Sequence, residues 1–248
     1  MRIILSPAKK MRVDTDSLPI RGLPAFLPQT ERLLAALRAM PPQKLQALWK
    51  CNDSIARQNV ERLQAMDLRR GLTPAVLSYE GIQYRYMAPG VMEAGQLGYL
   101  QEHLRILSGF YGLLRPFDGV TPYRLEMQAK LAVDGAENLY AFWGGRLAEP
   151  LADRAGWVLD LASKEYSRAV TPYLPKDMVF TCVFGQWANG RVVEKGTLCK
   201  MARGQMVRWL AENNVERPEE IRNFADLDYR FDASLSTPNQ YVFIQGGH

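Results

Sequence analysis

The chain has 248 residues, 47% of them hydrophobic, and a formal net charge of +5. That is enough apolar material for one full core, and no run of 18 apolar residues offers a membrane span. Three scattered cysteines with no C-x-x-C, beside only two histidines, argue against a Cys/His metal site and for a reducing, cytoplasmic setting.

In chain order, Met1 to Pro7 is too short an apolar stretch for a signal peptide and reads as a first strand, Ile3 to Leu5. Residues 14–28, with Pro19, Pro24 and Pro28, read as an extended surface segment. Helices are expected at 29–39, 42–50 and 53–66, the first two parted by Pro41-Pro42. Ala75 to Tyr79 reads as a strand. Helices on either side of a glycine break are expected over 95–115, then loop with one short helix over 116–138. Leu139 to Ala155 reads as a helix interrupted at Gly144-Gly145, and Trp157 to Leu161 as a buried strand. Ser163 is placed to cap a helix, with Glu165 in its first turn. Met178 to Gln186 and Arg191 to Leu198 form a hairpin about an Asn189-Gly190 turn. A helix over 199–213 and a last strand, Tyr241 to Ile244, follow. No repeat or linker divides the chain. The expectation is one domain of the α/β (or α+β) class, a mixed sheet with surrounding helices.

The charge is uneven. Residues 1–124 hold 17 Lys and Arg against 10 Asp and Glu, whereas residues 125–248 hold 14 against 16. A basic N-terminal half points to a nucleic-acid or other phosphorylated partner. It contains the most distinctive stretch, His103-Leu-Arg-Ile-Leu-Ser-Gly-Phe-Tyr-Gly-Leu-Leu-Arg-Pro116. Leu100, Leu104 and Leu107 have helical spacing, Ser108-Gly109 breaks it, and Gly112 restarts it. Read this way, the restart offers free N–H groups to a phosphate, with Arg105, Arg115 and Arg124 close by. On that reading, valine at Gly109 or Gly112 impairs binding more than folding. A plain helix corner explains the glycines but not the arginines.

Other residues carry chemistry. Ser6-Pro7-Ala8-Lys9 matches S-x-x-K, but no S-D-N or K-T-G accompanies it, so Lys9 is read as a phosphate or base contact at a strand end. Lys164, at a helix start, makes sense beside an anion. Lys200 and Arg203 sit three apart on one helix. Phosphate-binding, dinucleotide, zinc-protease and hydrolase signatures are absent.

Ser6 to Lys9, the 103–116 stretch, Pro122-Tyr-Arg-Leu-Glu-Met127, Leu139-Tyr-Ala-Phe-Trp-Gly144, Leu161-Ala-Ser-Lys-Glu-Tyr166 and Ala202-Arg-Gly204 occur in that order. In these blocks the chain resembles the YaaA family of bacterial peroxide-stress proteins, from Met1 to about Phe243. The resemblance implies an unusual α/β fold, binding of double-stranded DNA through a helix-hairpin-helix element and a basic cleft, and protection against hydrogen peroxide by limiting free intracellular iron. Carried onto this sequence, it makes Ser108, Gly109 and Gly112 the hairpin. The cleft candidates are Lys9, Arg105, Arg115, Arg124, Lys164, Lys200 and Arg203. The glycines stand three apart here rather than two, a departure from the usual motif. No cofactor, metal or membrane is implied. The alternative is an enzyme acting on a nucleobase, nucleotide or other phosphorylated molecule, with Lys9, Tyr123, Glu126, Ser163 and Lys164 as candidate catalytic groups. Lys9, Arg124 and Lys164 are expected to share one site, with Glu126 holding Arg124.

Overall fold

The computed structural model describes residues 1–152, 156–188 and 190–246. Its centre is a strand buried on both faces. β1 (Arg2–Leu5) carries the continuous apolar run Ile3-Ile4-Leu5, all fully buried, as an interior parallel strand requires. It pairs in parallel with β2 (Leu104–Ser108) on one side and with β4 (Val158–Asp160) on the other. Beyond β2 lies β3 (Gly112–Leu114), antiparallel. Beyond β4 lie β5 (Val179–Ala188), β8 (Gln240–Gln245) and, at the edge, antiparallel β7 (Tyr229–Thr237). The short β6 (Arg191–Val193) pairs with β5. The sheet is mixed and helices surround it, an α/β fold.

Local sequence explains most of the helices. α1 (Leu27–Arg38) has Pro28 in its first turn and buries Leu27, Leu33, Leu34 and Leu37 at helical spacing. α2 (Pro42–Trp49) follows Pro41 and ends where Lys50 turns left-handed, φ 47°. α3 (Asp53–Ala65) starts at Asn52, whose side chain accepts from the Ile55 N–H at 3.0 Å. α4 (Ile82–Met87) and α5 (Ala94–His103) come before β2, and α6 (Lys164–Ser167) and α7 (Gly196–Glu212) follow β4 and β6. Leu139–Trp143 and Glu149–Ala152 are helical, joined through Gly144–Leu147. Residues 153–155 and Asn189, on which part of the expected helix and hairpin turn fell, lie outside the described residues.

The stretch after α5 overturns the helical reading. Helix ends at His103, and Leu104 is already extended, φ −79°, ψ 137°. β2 and β3 form a β-hairpin, not a second helix. A short apolar run buried on both faces fits either period, and pairing with β1 decides it. Ala75–Ser78 is one turn of helix rather than a strand, and the expected helix within 116–138 is instead the short strand Gly119–Val120 and loop. β7 carried no clear alternation and was not expected.

The turn of this hairpin is bonded internally. Ser108 is fully buried, and its Oγ accepts from the Phe110 N–H at 3.2 Å and the Tyr111 N–H at 2.8 Å. The Phe110 and Tyr111 N–H groups are therefore used internally, and the segment from Gly112, expected to restart a helix, is a strand paired with β2. The Gly109 carbonyl accepts from Trp143 Nε1 at 3.1 Å. A Cβ on Gly109 would stand 2.7 Å from the Leu125 carbonyl oxygen, and one on Gly112 (φ 77°) would stand 2.9 Å from the Trp143 ring. The glycines let the hairpin lie against the 125–127 backbone. Gly109→Ala is accordingly expected to cost about 1–3 kcal/mol of stability through overpacking against main chain, measured by urea denaturation. An unchanged midpoint would show that the 125–127 segment yields.

Candidate functional site

β1 and β4 are parallel neighbours, so the segments leaving their C-terminal ends emerge side by side. From β1 the chain moves one way in the sheet to β2. From β4 it moves the other way to β5. Such a switch point leaves a crevice outside the strand ends, the usual ligand position in open α/β sheets. Here the crevice holds a cavity of about 520 Å³.

Two serines form its floor. Ser6 Oγ accepts from the Ser163 N–H at 2.8 Å and donates to Ser163 Oγ at 3.2 Å. The Ser6 carbonyl accepts from Gln83 Nε2 and Tyr84 Oη on α4, each at 2.9 Å. Ser163 precedes α6 as its cap residue, but its hydroxyl meets Ser6 rather than capping the helix. These bonds fix the turn that carries Lys9.

Cations enter the cavity from separated segments: Lys9 and Lys10, Arg124, and Lys200 with Arg203 on consecutive turns of α7. α7 reaches the site because Gly204 lies against α4, where a Cβ would collide with the Gln83 carbonyl. Glu126 faces two of the cations, Lys9 Nζ at 2.9 Å and Arg124 at 3.6 Å. Arg124 is mostly buried, donates to the Trp49 carbonyl at 3.4 Å, and its Nε has no partner. Lys10 pairs with Glu80 at 3.0 Å. Lys200 and Arg203 form no ion pair with any described residue.

Below them, Tyr123 is buried, its hydroxyl 2.6 Å from Ser108 Oγ and 2.9 Å from Tyr79 Oη. Burial pushes its phenol well above the ordinary tyrosine range, and both hydroxyl neighbours engage it in hydrogen bonds. Glu165 takes the Gln128 N–H at 3.2 Å, and burial raises its carboxyl. Asp160, at the end of β4, is buried with its carboxylate accepting from the Ala162 N–H at 2.9 Å and from the Ser167 hydroxyl. Burial raises it too, opposed by Ser167 and by Arg203.

A model of the family described as peroxide stress protein YaaA matches residues 1–235. The chain belongs to that family. Relatives named UPF0246 protein are 49% identical in Lachnoclostridium phytofermentans, over 99% of this chain and 97% of the relative. They are 52% identical in Agathobacter rectalis, over 98% of each chain, and 50% in Pediococcus pentosaceus, over 99% and 98%.

In this YaaA-family chain the candidate residues divide into four groups. Lys9, Tyr123, Arg124, Glu126, Ser163, Lys200 and Arg203 line the one cavity. Lys164 is exposed and does not line it; Glu165, next in sequence, does. Glu126 is nearer Lys9 than Arg124, so Lys9 is not left free as expected. Ser108, Gly109 and Gly112 are internal to the core. Arg105 and Arg115 open into a different cavity.

Sequence reasoning missed a further group. A cavity of about 390 Å³ adjoins the first, sharing Glu126, and is lined by Lys44, Lys50 and Lys130. Lys44 and Lys50 belong to the helical hairpin α2–Lys50-Cys51-Asn52–α3. The signal in the sequence is two short helices parted by three residues.

Two outcomes check this geometry. Gly204→Ala should push α7 off α4 at a cost of about 1–3 kcal/mol, read as a lowered thermal midpoint; an unchanged midpoint would mean the helices separate freely. Asp118, beside Arg115, is buried and pushed up to about 6 from 3.8, chiefly by desolvation. The folded state then holds the proton more tightly than the unfolded chain, so this group's contribution is full below about pH 4 and is lost as pH rises through about 6. Asp118→Asn should flatten that part of the stability–pH profile. Parallel profiles for variant and parent would refute the shift.

Proposed function

We propose that this YaaA-family protein binds double-stranded DNA in the hydrogen-peroxide stress response, holding backbone phosphates in the cleft at the ends of β1 and β4. The observation that carries this reading is the convergence of Lys9, Lys10, Arg124, Lys200 and Arg203 on one cleft, with Lys200 and Arg203 paired to no described carboxylate. The adjoining lysines of the α2–α3 hairpin extend the basic lining past Glu126. A short helix–turn–helix beside a basic groove is a sound arrangement for phosphate contacts, because its amides and lysines meet the backbone without reading base edges. The hairpin in this role is residues 42–65, not 95–116. We extend the same proposal to limiting free intracellular iron, as a consequence of the DNA-bound state.

A second reading is favoured by the position of the cleft. A switch-point cavity of about 520 Å³ suits a nucleotide-sized molecule as well as a phosphate backbone. On that reading the Ser6–Ser163 pair, Tyr123 and Lys9 orient a phosphorylated substrate.

The expected result is weak sequence preference and steep salt dependence. With four to six phosphates neutralised, the log–log slope should be about −4 to −5. Lys200→Ala with Arg203→Ala should lower the magnitude of that slope by about two and leave the fold intact by circular dichroism. A strain carrying the double variant should be more sensitive to peroxide and hold more chelatable iron. Unchanged DNA affinity, with loss of nucleotide binding by calorimetry, would favour the second reading.

A further inference from the structure

A second cavity, about 560 Å³, lies toward the N-terminal end of β1 and shares no lining residue with the cleft. Four arginines line it: Arg2, Arg21, Arg105 and Arg115. β1 and β2 place two of them. Ile4 is the partner of Arg105, and Arg2 stands two residues before Ile4, so both side chains leave the same face of the sheet.

One turn places the other two. The Arg21 N–H donates to the Phe117 carbonyl at 2.8 Å, and the Gly119 N–H to the Gly22 carbonyl at 2.9 Å. The Asp118 carboxylate accepts from the Arg115 N–H at 2.8 Å. The Arg21 guanidinium lies 4.5 Å from the centre of the Phe117 ring. Extended segment and turn are thus laced together with both guanidiniums at the cavity.

Among the described residues, only one of these four guanidiniums is held in an ion pair. Glu102 pairs with Arg2 at 3.1 Å. Asp118 and Glu149 also line the cavity, yet neither forms an ion pair with Arg21, Arg105 or Arg115. Arg105 is 9% exposed. Its hydrogen bonds come from one terminal nitrogen alone, to the Leu104 carbonyl at 2.7 Å and the Gln101 carbonyl at 3.2 Å. The Nε and the other terminal nitrogen bond to no described residue. Desolvation and the neighbouring Arg2 and Arg115 pull its pKa down to about 10, against Glu102 and Asp118, which hold it up. Collecting cations and burying one with no carboxylate in direct contact is unfavourable unless an anion joins them. Guanidinium forks match the paired oxygens of a phosphate, which a lysine cluster would meet only as point charges.

We propose that this cavity is a second anion site, separate from the cleft, in which Arg21, Arg105 and Arg115 bind a phosphate group. The site stands whether or not the cleft binds DNA. The phosphate belongs either to a free phosphorylated small molecule or to a DNA backbone, and the two sources are separable.

The test is titration of the full-length protein with inorganic phosphate at constant ionic strength against chloride, followed by the arginine Nε–H resonances. Saturable shifts are expected for Arg105. Arg21→Gln with Arg115→Gln changes two exposed residues and should weaken phosphate binding at least about tenfold, with the thermal midpoint of the ligand-free protein retained. If the same variant also lowers the salt slope for duplex DNA, the phosphate is a backbone one; if DNA binding is unchanged, it is a small molecule's. Absence of saturable shifts in the parent, or equal phosphate affinity in the double variant, overturns the site.

Discussion

Everything in this molecule is arranged around the parallel pairing of β1 with a strand on each side. Ile3, Ile4 and Leu5 cannot face water on either side of the sheet, so β1 sits in the interior, and both of its neighbours run parallel to it. Because β1 and β4 are parallel, the turns after them leave at the same edge. Ser6 and Ser163 then meet within hydrogen-bonding distance although 157 residues separate them. The cleft follows from that meeting, as does the place where Lys9 emerges.

The second constraint is closeness of backbone. Gly109 and Gly204 do similar work at different places. Gly109 lets the β2–β3 hairpin rest on the 125–127 backbone, which carries Glu126 to the cleft and sets Tyr123 under it. Gly204 lets α7 rest on α4, which brings Lys200 and Arg203 to the same opening. Glycines that resembled a ligand grip are packing devices that position the groups around the ligand site.

The two basic cavities differ in character. In the cleft, lysines predominate, and Glu126 sits between Lys9 and Arg124, so an entering anion would compete with a carboxylate already present. In the second cavity all four cations are arginines; Arg2 and Arg105 are buried, and Arg105 keeps free donors. The first arrangement suits a mobile, salt-sensitive contact with a polyanion. The second suits a single phosphate recognised by geometry.

The sequence by itself determined the fold class, the helices over 27–65, the strands β1, β4, β5 and β8, and the family. Each of these rests on local signals: prolines before helices, apolar runs bounded by breakers, and ordered blocks of residues. It also marked Lys9, Arg124, Glu126, Ser163, Lys200 and Arg203 as chemically interesting. Only the tertiary structure decided what the 103–116 stretch is, because leucines buried on both faces fit a helix and an interior strand equally until β1 is beside them. Only it decided which cations meet. Arg105 and Arg115 lie within twenty residues of Arg124 in the chain, yet they face another cavity, because it opens toward the opposite end of β1 from the cleft. Lys200, far away in sequence, joins Lys9 because α7 packs against α4. Distance along the chain sets neither outcome; strand direction and helix contact set both.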